Sequence, residues 1–265
     1  MEHKLASLGI AAQYDRFPAV DGRTIRTSSN RSPGEVGCFR SHLDVLTMAA
    51  DSRRAVHVME DDVLLCDLTV PAIDSVVRGR AFRDFDIVFL EMSVTPTLES
   101  IRALHALFEK STNHGSVPII DPKQLRIIDV QNQYRYGTTS YVVGAKSIDR
   151  VLGILEAAWS HGPVDPIDVV IQDAARAGQL RLGCCFPFVT SIDLHLTQAS
   201  TADRKAMPEA ALVRQILRYA FYVRRKIDGY AVPAIQPVLK KWERPDPDGA
   251  IDLYMKVLRC LLLKP

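Results

Sequence analysis

The sequence predicts an α/β protein, because short apolar runs alternate along the chain with amphipathic helical stretches. Two of the apolar runs, at residues 56–59 and 87–90, end directly on acidic residues. Ligands of open α/β sheets bind beyond the carboxyl ends of the strands, so these acids are candidate functional groups. The 265 residues, of which 47% are hydrophobic and 24% charged, suffice for one large domain or for one domain with an appendage.

The first 50 residues predict two helices with a strand between them. Residues 1–10 predict a short helix that Gly9 ends. Residues 13–23 predict a strand that runs into a turn at Asp21, and the polar residues 23–34 predict a loop. The helix after this loop has its apolar residues at helical spacing. This apolar face consists of Phe39, Leu43, Leu46 and Ala50.

Three further strands and two further helices are predicted between residues 124 and 190. The strands are the apolar runs at residues 125–130, 138–145 and 179–188. Residues 93–123 have no clear pattern.

Each of these two helices has recognisable end signals. Ser147 is expected to cap the first, whose apolar face contains Ile148, Val151, Leu152, Leu155 and Trp159. In the second, Asp165 is expected at the N-cap, Pro166 in the first turn and Gly178 after the last turn.

The chain changes character near residue 204, which predicts an α/β domain over residues 1–203 and a helical, basic, amphipathic region over residues 204–265. Residues 212–242 carry seven Arg and Lys residues and a single acid, with aromatic residues interspersed. Such a segment is typical of an interfacial helix that docks on anionic lipid. The alternative is a helix that packs on the α/β domain and exposes its basic face to solvent.

The overall charge and the cysteines exclude several classes of protein. A formal net charge of +2 gives no field that attracts nucleic acid. The five cysteines are irregularly spaced, which predicts neither a disulfide framework nor a CxxC zinc site. The chain also shows no signal peptide and no run of about 18 apolar residues that could span a membrane. We therefore expect a cytoplasmic protein, docked on the inner membrane if its basic C-terminal region binds lipid.

The run "VHVMEDDVLL" at residues 56–65 places three acids between two apolar segments. Neighbouring carboxylates repel one another unless they share a positive charge, and hard divalent cations prefer oxygen ligands. A nucleoside diphosphate needs such a cation to screen its own charge. The run therefore suits a metal-bridged nucleotide, although acids that follow strands are also common as plain loop residues.

Two ordered motifs resemble the signature of glycosyltransferase family 25. "GEVGCFRSH" at residues 34–42 precedes the acidic run, and the matching residues are Gly34, Glu35, Gly37, Cys38, Ser41, His42, Glu60, Asp61 and Asp62. The segments "RFPAVDG", "GTTSYVVGAKSIDRVL" and "PVD" resemble further blocks of the family. The resemblance extends over roughly residues 8–200.

This resemblance implies a GT-A type nucleotide-sugar fold and transfer of a hexose, typically galactose, from a UDP-sugar. The acceptor would be a glycan or lipid-linked saccharide, such as a lipopolysaccharide precursor. Glu60 and Asp62 match the DxD-like motif that holds a divalent metal, Mn²⁺ or Mg²⁺, while Asp61 would contact the ribose or the sugar. The predicted donor-binding residues are Gly34, Glu35, Gly37, Ser41, His42, Asp61, Gly137 and Thr138.

The predicted catalytic residues are Asp165 and Glu91, either of which could deprotonate the acceptor hydroxyl. Asp165 could equally be a helix cap, and Glu91 could order the sugar or simply end its strand. His42 could line the donor pocket or be a buried, hydrogen-bonded helix residue. His195 could be a late metal ligand or an ordinary strand or loop residue. Cys38 is expected to be a small buried residue.

Glycines and threonines of the matching motifs have structural alternatives. Gly34 and Gly37 are expected to form a tight turn before the helix or to allow close approach of the nucleotide. Gly137, Thr138 and Thr139 could bind sugar or acceptor, or form a turn before a strand.

The start of the chain departs from the family pattern, in which a strand reading like "VINL" comes first. This chain opens on "MEHKLASLGI". The expectation is either a start codon assigned too late or loss of a donor-side strand, which would expose a sheet edge. The rival interpretation is a non-catalytic family member that binds nucleotide or glycan. A P-loop is absent, so nothing supports phosphoryl transfer.

Overall fold

The computed structural model describes residues 1–26, 30–93, 125–160, 165–192, 217–218 and 221–222. The helices are α1 (Glu2–Ser7), α2 (Pro33–Ser52), α3 (Thr69–Arg78), α4 (Ala81–Asp84), α5 (Ile148–Trp159) and α6 (Ile167–Arg176). The strands are β1 (Val56–Met59), β2 (Val63–Leu65), β3 (Ile87–Phe89), β4 (Arg126–Asp129), β5 (Ser140–Val143), β6 (Leu182–Phe186) and β7 (Thr190–Ile192). The predicted α/β class is confirmed.

Five of the strands form a mixed sheet in the order β1-β5-β3-β6-β4. Strand β3 runs parallel to β6, and the other neighbours are antiparallel. Tyr141 of β5 lies opposite Val58 of β1 on one side and Phe89 of β3 on the other. A separate two-stranded sheet joins β2 to β7.

Helices cover both faces of the sheet. Successive strand residues point to opposite sides, and since both sets are apolar, each face needs helices to bury it. One face packs on α2, α5 and α6, and its core includes Phe39, Leu46, Phe89, Tyr141, Leu155 and Ile171. The other face packs on α3 and α4, and its core includes Ala72, Val76, Val88, Leu90 and Val142. Alternate residues of β3 and β5 thus enter different cores, which is why both strands read as continuous apolar runs.

Helix α2 begins at a complete capping box. The Ser32 hydroxyl accepts a hydrogen bond from the Glu35 amide, and the Glu35 carboxylate accepts one from the Ser32 amide. Pro33 occupies the first turn, where it has no hydrogen bond to lose. The predicted helix is confirmed, and it begins just before the glycines of the "GEVGC" motif.

The strand predicted over residues 13–23 is wrong. The segment instead contains the 3-10 helices Ala11–Gln13 and Gly22–Thr24. The predicted turn is confirmed, because the Asp21 side chain accepts a hydrogen bond from the Arg23 amide and begins the second of these helices. Gly22 lies against α2, where an added Cβ would lie 2.7 Å from the Gly37 nitrogen.

Of the two predicted helix caps, the position of Ser147 is confirmed and that of Asp165 is wrong. Ser147 is the N-cap residue of α5, but its hydroxyl donates to the Asp86 carboxylate at 2.7 Å and makes no hydrogen bond to the helix. Asp165 lies one residue before Pro166, which is the N-cap of α6. The Asp165 carboxylate instead pairs with Arg31 at 2.9 Å. Gly178 follows α6 with a φ of 72°, as predicted.

Three of the four described residues of the C-terminal region, Leu217, Phe221 and Tyr222, belong to the hydrophobic core. Leu217 and Phe221 are fully buried in the main hydrophobic cluster. The Phe188 amide donates to the Phe221 carbonyl at 2.9 Å, and Phe188 also forms a bridge with Tyr222. The boundary at residues 203/204 stays a prediction.

Several predictions concern residues outside the described ranges. These residues are His195, Cys260, Pro163, Val164, most of segment 93–123 and most of segment 204–265. Within the described ranges, no helix combines the length and apolar character needed to cross a membrane.

Candidate functional site

The topology brings the predicted acids to one edge of the sheet. Glu60 comes directly after β1, and Glu91 comes after β3 with one residue, Leu90, between them. Strand β5 lies antiparallel between β1 and β3, so its amino end lies at the same edge. The Glu60 amide accordingly donates to the Thr139 carbonyl at 2.8 Å. The predicted placement of these acids at strand ends is confirmed.

Glu60 is held in its ionised form by its neighbours. Its carboxylate accepts a hydrogen bond from the Thr138 hydroxyl at 2.9 Å and lies 3.5 Å from His42 Nε2. Burial raises the pKa of Glu60, but His42, Thr138 and the charge of Arg218 outweigh it and lower the pKa below its ordinary value. About a third of the Glu60 side chain remains exposed, so a ligand can reach it.

The surroundings of Asp62 favour its protonated form, in contrast to those of Glu60. It is only 7% exposed, and burial, followed by the charges of Glu60 and Asp61, raises the pKa of Asp62 to about 7. The charge of Arg218 opposes this shift. Asp61 itself is exposed. The ionised form of Asp62 therefore gains strongly from any cation that is shared with Glu60.

Glu91 is paired with an arginine from the C-terminal region. Arg218 Nε lies 2.6 Å from one carboxylate oxygen of Glu91, and the Arg218 Nη2 group donates to the other at 2.8 Å. Both side chains are buried, and burial raises the pKa of Glu91 although Arg218 opposes it. Gly137, with a φ of 116°, lies against the guanidinium, and a Cβ there would collide with it.

A group of metal-ligand atoms lies beside the acids. The Cys38 Sγ, a His42 ring nitrogen and a Glu60 oxygen all lie within 4.8 Å of one another. The Tyr141 hydroxyl hydrogen-bonds to His42 Nδ1 at 2.9 Å. This confirms one of the two predictions for His42, namely that it is a buried, hydrogen-bonded helix residue. Cys38 is partly exposed, so its predicted burial is only partial. These three side chains could hold a metal ion.

The other donor-binding residues predicted on α2 have structural contacts. Gly34 and Gly37 lie inside the helix, so the predicted tight turn is wrong. A Cβ on Gly37 would collide with the Val20 carbonyl, which explains the glycine. The Ser41 hydroxyl accepts from the Val20 amide at 2.9 Å and donates to the Gly37 carbonyl at 2.8 Å. Together with the capping role of Glu35, these contacts fix the start of α2 and hold the segment at Val20 against it.

The two aspartates at the start of α6 differ in their surroundings. Asp165 is 43% exposed at its side chain and pairs with Arg31. Asp168 lies one turn on, near Gly137 and within electrostatic reach of Glu60, and burial raises its pKa. Sequence reasoning did not single out Asp168, although it lies only three residues beyond Asp165, in the first turn of α6.

Three other participants were not predicted as site residues. Arg218 is one of many basic residues in its segment, and no local pattern distinguishes it. Tyr141 reads as a plain strand residue. Cys38 does carry a signal, because its spacing of four residues from the predicted His42 places two ligands on one face of a helix.

Comparison with known proteins identifies the family. Residues 12–170, more than half of the chain, match glycosyltransferase family 25, described as an LPS biosynthesis protein. No curated protein matches the chain. The matching range includes α2, the acidic run and the first residues of α6.

Proposed function

Because the chain belongs to glycosyltransferase family 25, we propose that it transfers a hexose such as galactose from a UDP-sugar to a glycan acceptor such as a lipopolysaccharide precursor. The family makes the chain a glycosyltransferase of LPS biosynthesis, with a nucleotide-sugar donor and a glycan acceptor. The observation that carries the finer proposal is the convergence of Glu60, Asp62 and Glu91 at the carboxyl ends of β1 and β3. Ligands of α/β sheets bind at this position.

The chemistry of these acids fits a divalent metal. Glu60 and Asp62 offer carboxylate oxygens, which Mn²⁺ and Mg²⁺ prefer. Burial and the charges of Glu60 and Asp61 raise the pKa of Asp62 to about 7, and a cation shared with Glu60 would oppose this shift. Glu60 and Asp62 would hold the metal, which when bound screens the negative charge of the diphosphate leaving group.

The residues around the acids orient the donor in this proposal. Asp61 is exposed beside the metal ligands and is available to the ribose or the sugar. Thr138 and His42 fix the Glu60 carboxylate, so in this proposal they position it as a ligand of the metal. Gly137 leaves room for the Arg218 guanidinium at the same edge.

Of the two predicted bases, Asp165 is the better candidate to take the proton of the acceptor hydroxyl. Its carboxylate is accessible, whereas Glu91 is fully buried and paired with Arg218. Asp168, whose pKa is raised by burial, is the natural comparison. Asp165→Asn should reduce kcat while donor binding persists. If Asp168→Asn alone has this effect, the base is Asp168.

The deciding experiment is isothermal titration calorimetry of UDP with and without Mn²⁺. We expect binding by the full chain to require Mn²⁺ and to be lost in Asp62→Ala. Asp51→Ala, which removes an exposed acid at the end of α2, is the matched control and should bind as the natural chain does. Binding that ignores Mn²⁺, or that survives Asp62→Ala, would contradict the metal site. Binding without any transfer to acceptors would favour a non-catalytic family member.

A further inference from the structure

Cys38, His42 and Glu60 have the geometry of a site for a softer metal than Mn²⁺. Cys38 and His42 lie one turn apart on α2, and Glu60 reaches them from the end of β1. The three ligand atoms lie within 4.8 Å of one another, and His42 Nε2 lies 3.5 Å from Glu60 Oε1. Two nitrogen or oxygen ligands of tetrahedral Zn²⁺ lie about 3.3 Å apart. Small side-chain adjustments would therefore complete such a site.

The neighbours of these side chains already orient them as metal ligands. A ligating histidine normally uses its second ring nitrogen for a hydrogen bond that fixes the ring. Here the Tyr141 hydroxyl bonds His42 Nδ1 at 2.9 Å, which leaves Nε2 directed at Glu60. The Thr138 hydroxyl likewise fixes the Glu60 carboxylate through a 2.9 Å hydrogen bond. The ring and the carboxylate are thus held in place before any metal arrives.

We propose that Cys38, His42 and Glu60 bind one thiophilic divalent cation, for which Zn²⁺ is the best match. Thiolate and imidazole ligands select Zn²⁺ over Mn²⁺ and Mg²⁺, which favour oxygen. Binding replaces the thiol proton of Cys38 with the metal, and the His42 imidazolium that pairs with Glu60 gives up its Nε2 proton; both protons go to solvent. Three protein ligands leave the fourth tetrahedral position open to water.

The shared ligand gives this site a consequence for the donor site. Glu60 is also a proposed ligand of the donor metal, so a Zn²⁺ ion held on its carboxylate would compete with Mn²⁺ for its oxygens and repel the second cation. Zn²⁺ at the Cys38 site should therefore weaken Mn²⁺-dependent UDP binding. This consequence rests on the proposed function, whereas zinc binding itself does not.

Cobalt spectroscopy on the full chain tests the proposal. Co²⁺ replaces Zn²⁺ and reports a bound thiolate through a charge-transfer band in the near ultraviolet. We expect one equivalent of Co²⁺, this band, and displacement of the Co²⁺ by added Zn²⁺. Cys38→Ser should abolish the band and weaken binding by at least about tenfold. Asp62→Asn is the matched control, because it removes an acid beside the site but none of the three ligands, and it should keep the band.

Two outcomes would overturn the proposal: a folded chain that shows no thiolate band, or a band that persists in Cys38→Ser. If Cys38→Ser does not fold, alkylation of the natural chain gives the same answer, because Zn²⁺ should protect the partly exposed Cys38 from iodoacetamide. Unchanged labelling of Cys38 in saturating Zn²⁺ would count against the site. A cobalt band in a chain that fails to bind UDP would disprove the proposed function and leave the zinc site standing.

Discussion

Glu60, Asp62 and Glu91 are three carboxylates in one cluster, and each has a different electrostatic environment. Hydrogen bonds and charge from His42 and Thr138 stabilise the charge of Glu60, while burial raises the pKa of Asp62 to about 7. Glu91 is the most buried; it accepts a hydrogen bond from Arg218 Nη2 and has Arg218 Nε at ion-pair distance. The sequence predicted that these acids are functional, because they directly follow apolar strands. The sequence could not predict which of these carboxylates favour the ionised form, because partners such as Arg218, 127 residues from Glu91 along the chain, are far away in sequence.

Breaking the buried pair should be costly. Arg218→Met removes the guanidinium and leaves the Glu91 charge buried without it, so we expect the free energy of unfolding to fall by about 3–5 kcal/mol. The double variant Glu91→Gln/Arg218→Met should recover much of this loss, since no buried charge remains. Urea denaturation at neutral pH measures both. A loss below about 1 kcal/mol in Arg218→Met would show that the pair is unimportant for stability.

His57 should make the stability of the native state depend on pH. Its ring hydrogen-bonds to the Tyr14 and Ser140 hydroxyls, and burial lowers the pKa of His57 to about 4. Between pH 6.5 and 4 the unfolded chain takes up a proton that the native state does not, so stability present above pH 6.5 is lost as the pH falls.

The His57 contribution is isolated by comparison with His57→Gln, which cannot titrate but can hydrogen-bond to both hydroxyls. The natural chain should lose about 1–2 kcal/mol more than this variant between pH 7 and pH 4, because partial exposure of the ring reduces the effect. Chemical denaturation at a series of pH values checks this. Parallel losses in the two proteins would contradict a neutral His57 imidazole in the native state at pH 4–6.5.

At the scale of elements, the predictions succeeded where the signal is local. The periodicity of Phe39, Leu43 and Leu46 identified α2, since every residue of that face meets the same core. The predicted capping hydrogen bonds are not formed where a distant group competes for the side chain. Ser147 bonds to Asp86 and Asp165 bonds to Arg31, and neither partner is near in sequence. Local patterns therefore fix which segments form helices better than they fix what their end residues contact.

Asp86 should be the main polar anchor between β3, α5 and β6. Its buried carboxylate accepts hydrogen bonds from the Ser147 hydroxyl at 2.7 Å and the Arg181 amide at 2.9 Å. Asp86→Ala leaves that amide without its acceptor, so we expect a loss of about 2–4 kcal/mol, against about 1 kcal/mol for Ser147→Ala. Asp84→Ala, at an exposed acid two residues away, should change stability by less than about 0.5 kcal/mol. Equal effects of Asp86→Ala and Asp84→Ala in urea denaturation would refute the anchor.

At the scale of the whole molecule, the C-terminal region contributes to the catalytic fold. Leu217 and Phe221 fill the main core beside Phe186 and Phe188, and Arg218 neutralises Glu91. The basic composition of the region was visible in the sequence, but the residues that enter the core were not, because aromatic and aliphatic residues recur throughout it. The two predictions for this region, packing and lipid docking, are compatible if different residues perform them.

Two truncations of the chain separate packing from lipid docking. A chain ending at residue 203 lacks Leu217, Arg218 and Phe221, so it should lose more than about 10 °C in Tm or aggregate. A chain ending at residue 223 keeps these contacts and should retain the Tm of the full chain.

If the basic residues beyond 223 bind anionic lipid, the full chain should float with phosphatidylglycerol vesicles in a density gradient, and the chain ending at 223 should not. Neutral phosphatidylcholine vesicles are the control, because they lack the charge that the basic residues would recognise. Equal flotation of the two chains would refute docking by this segment and leave packing as the role of the C-terminal region.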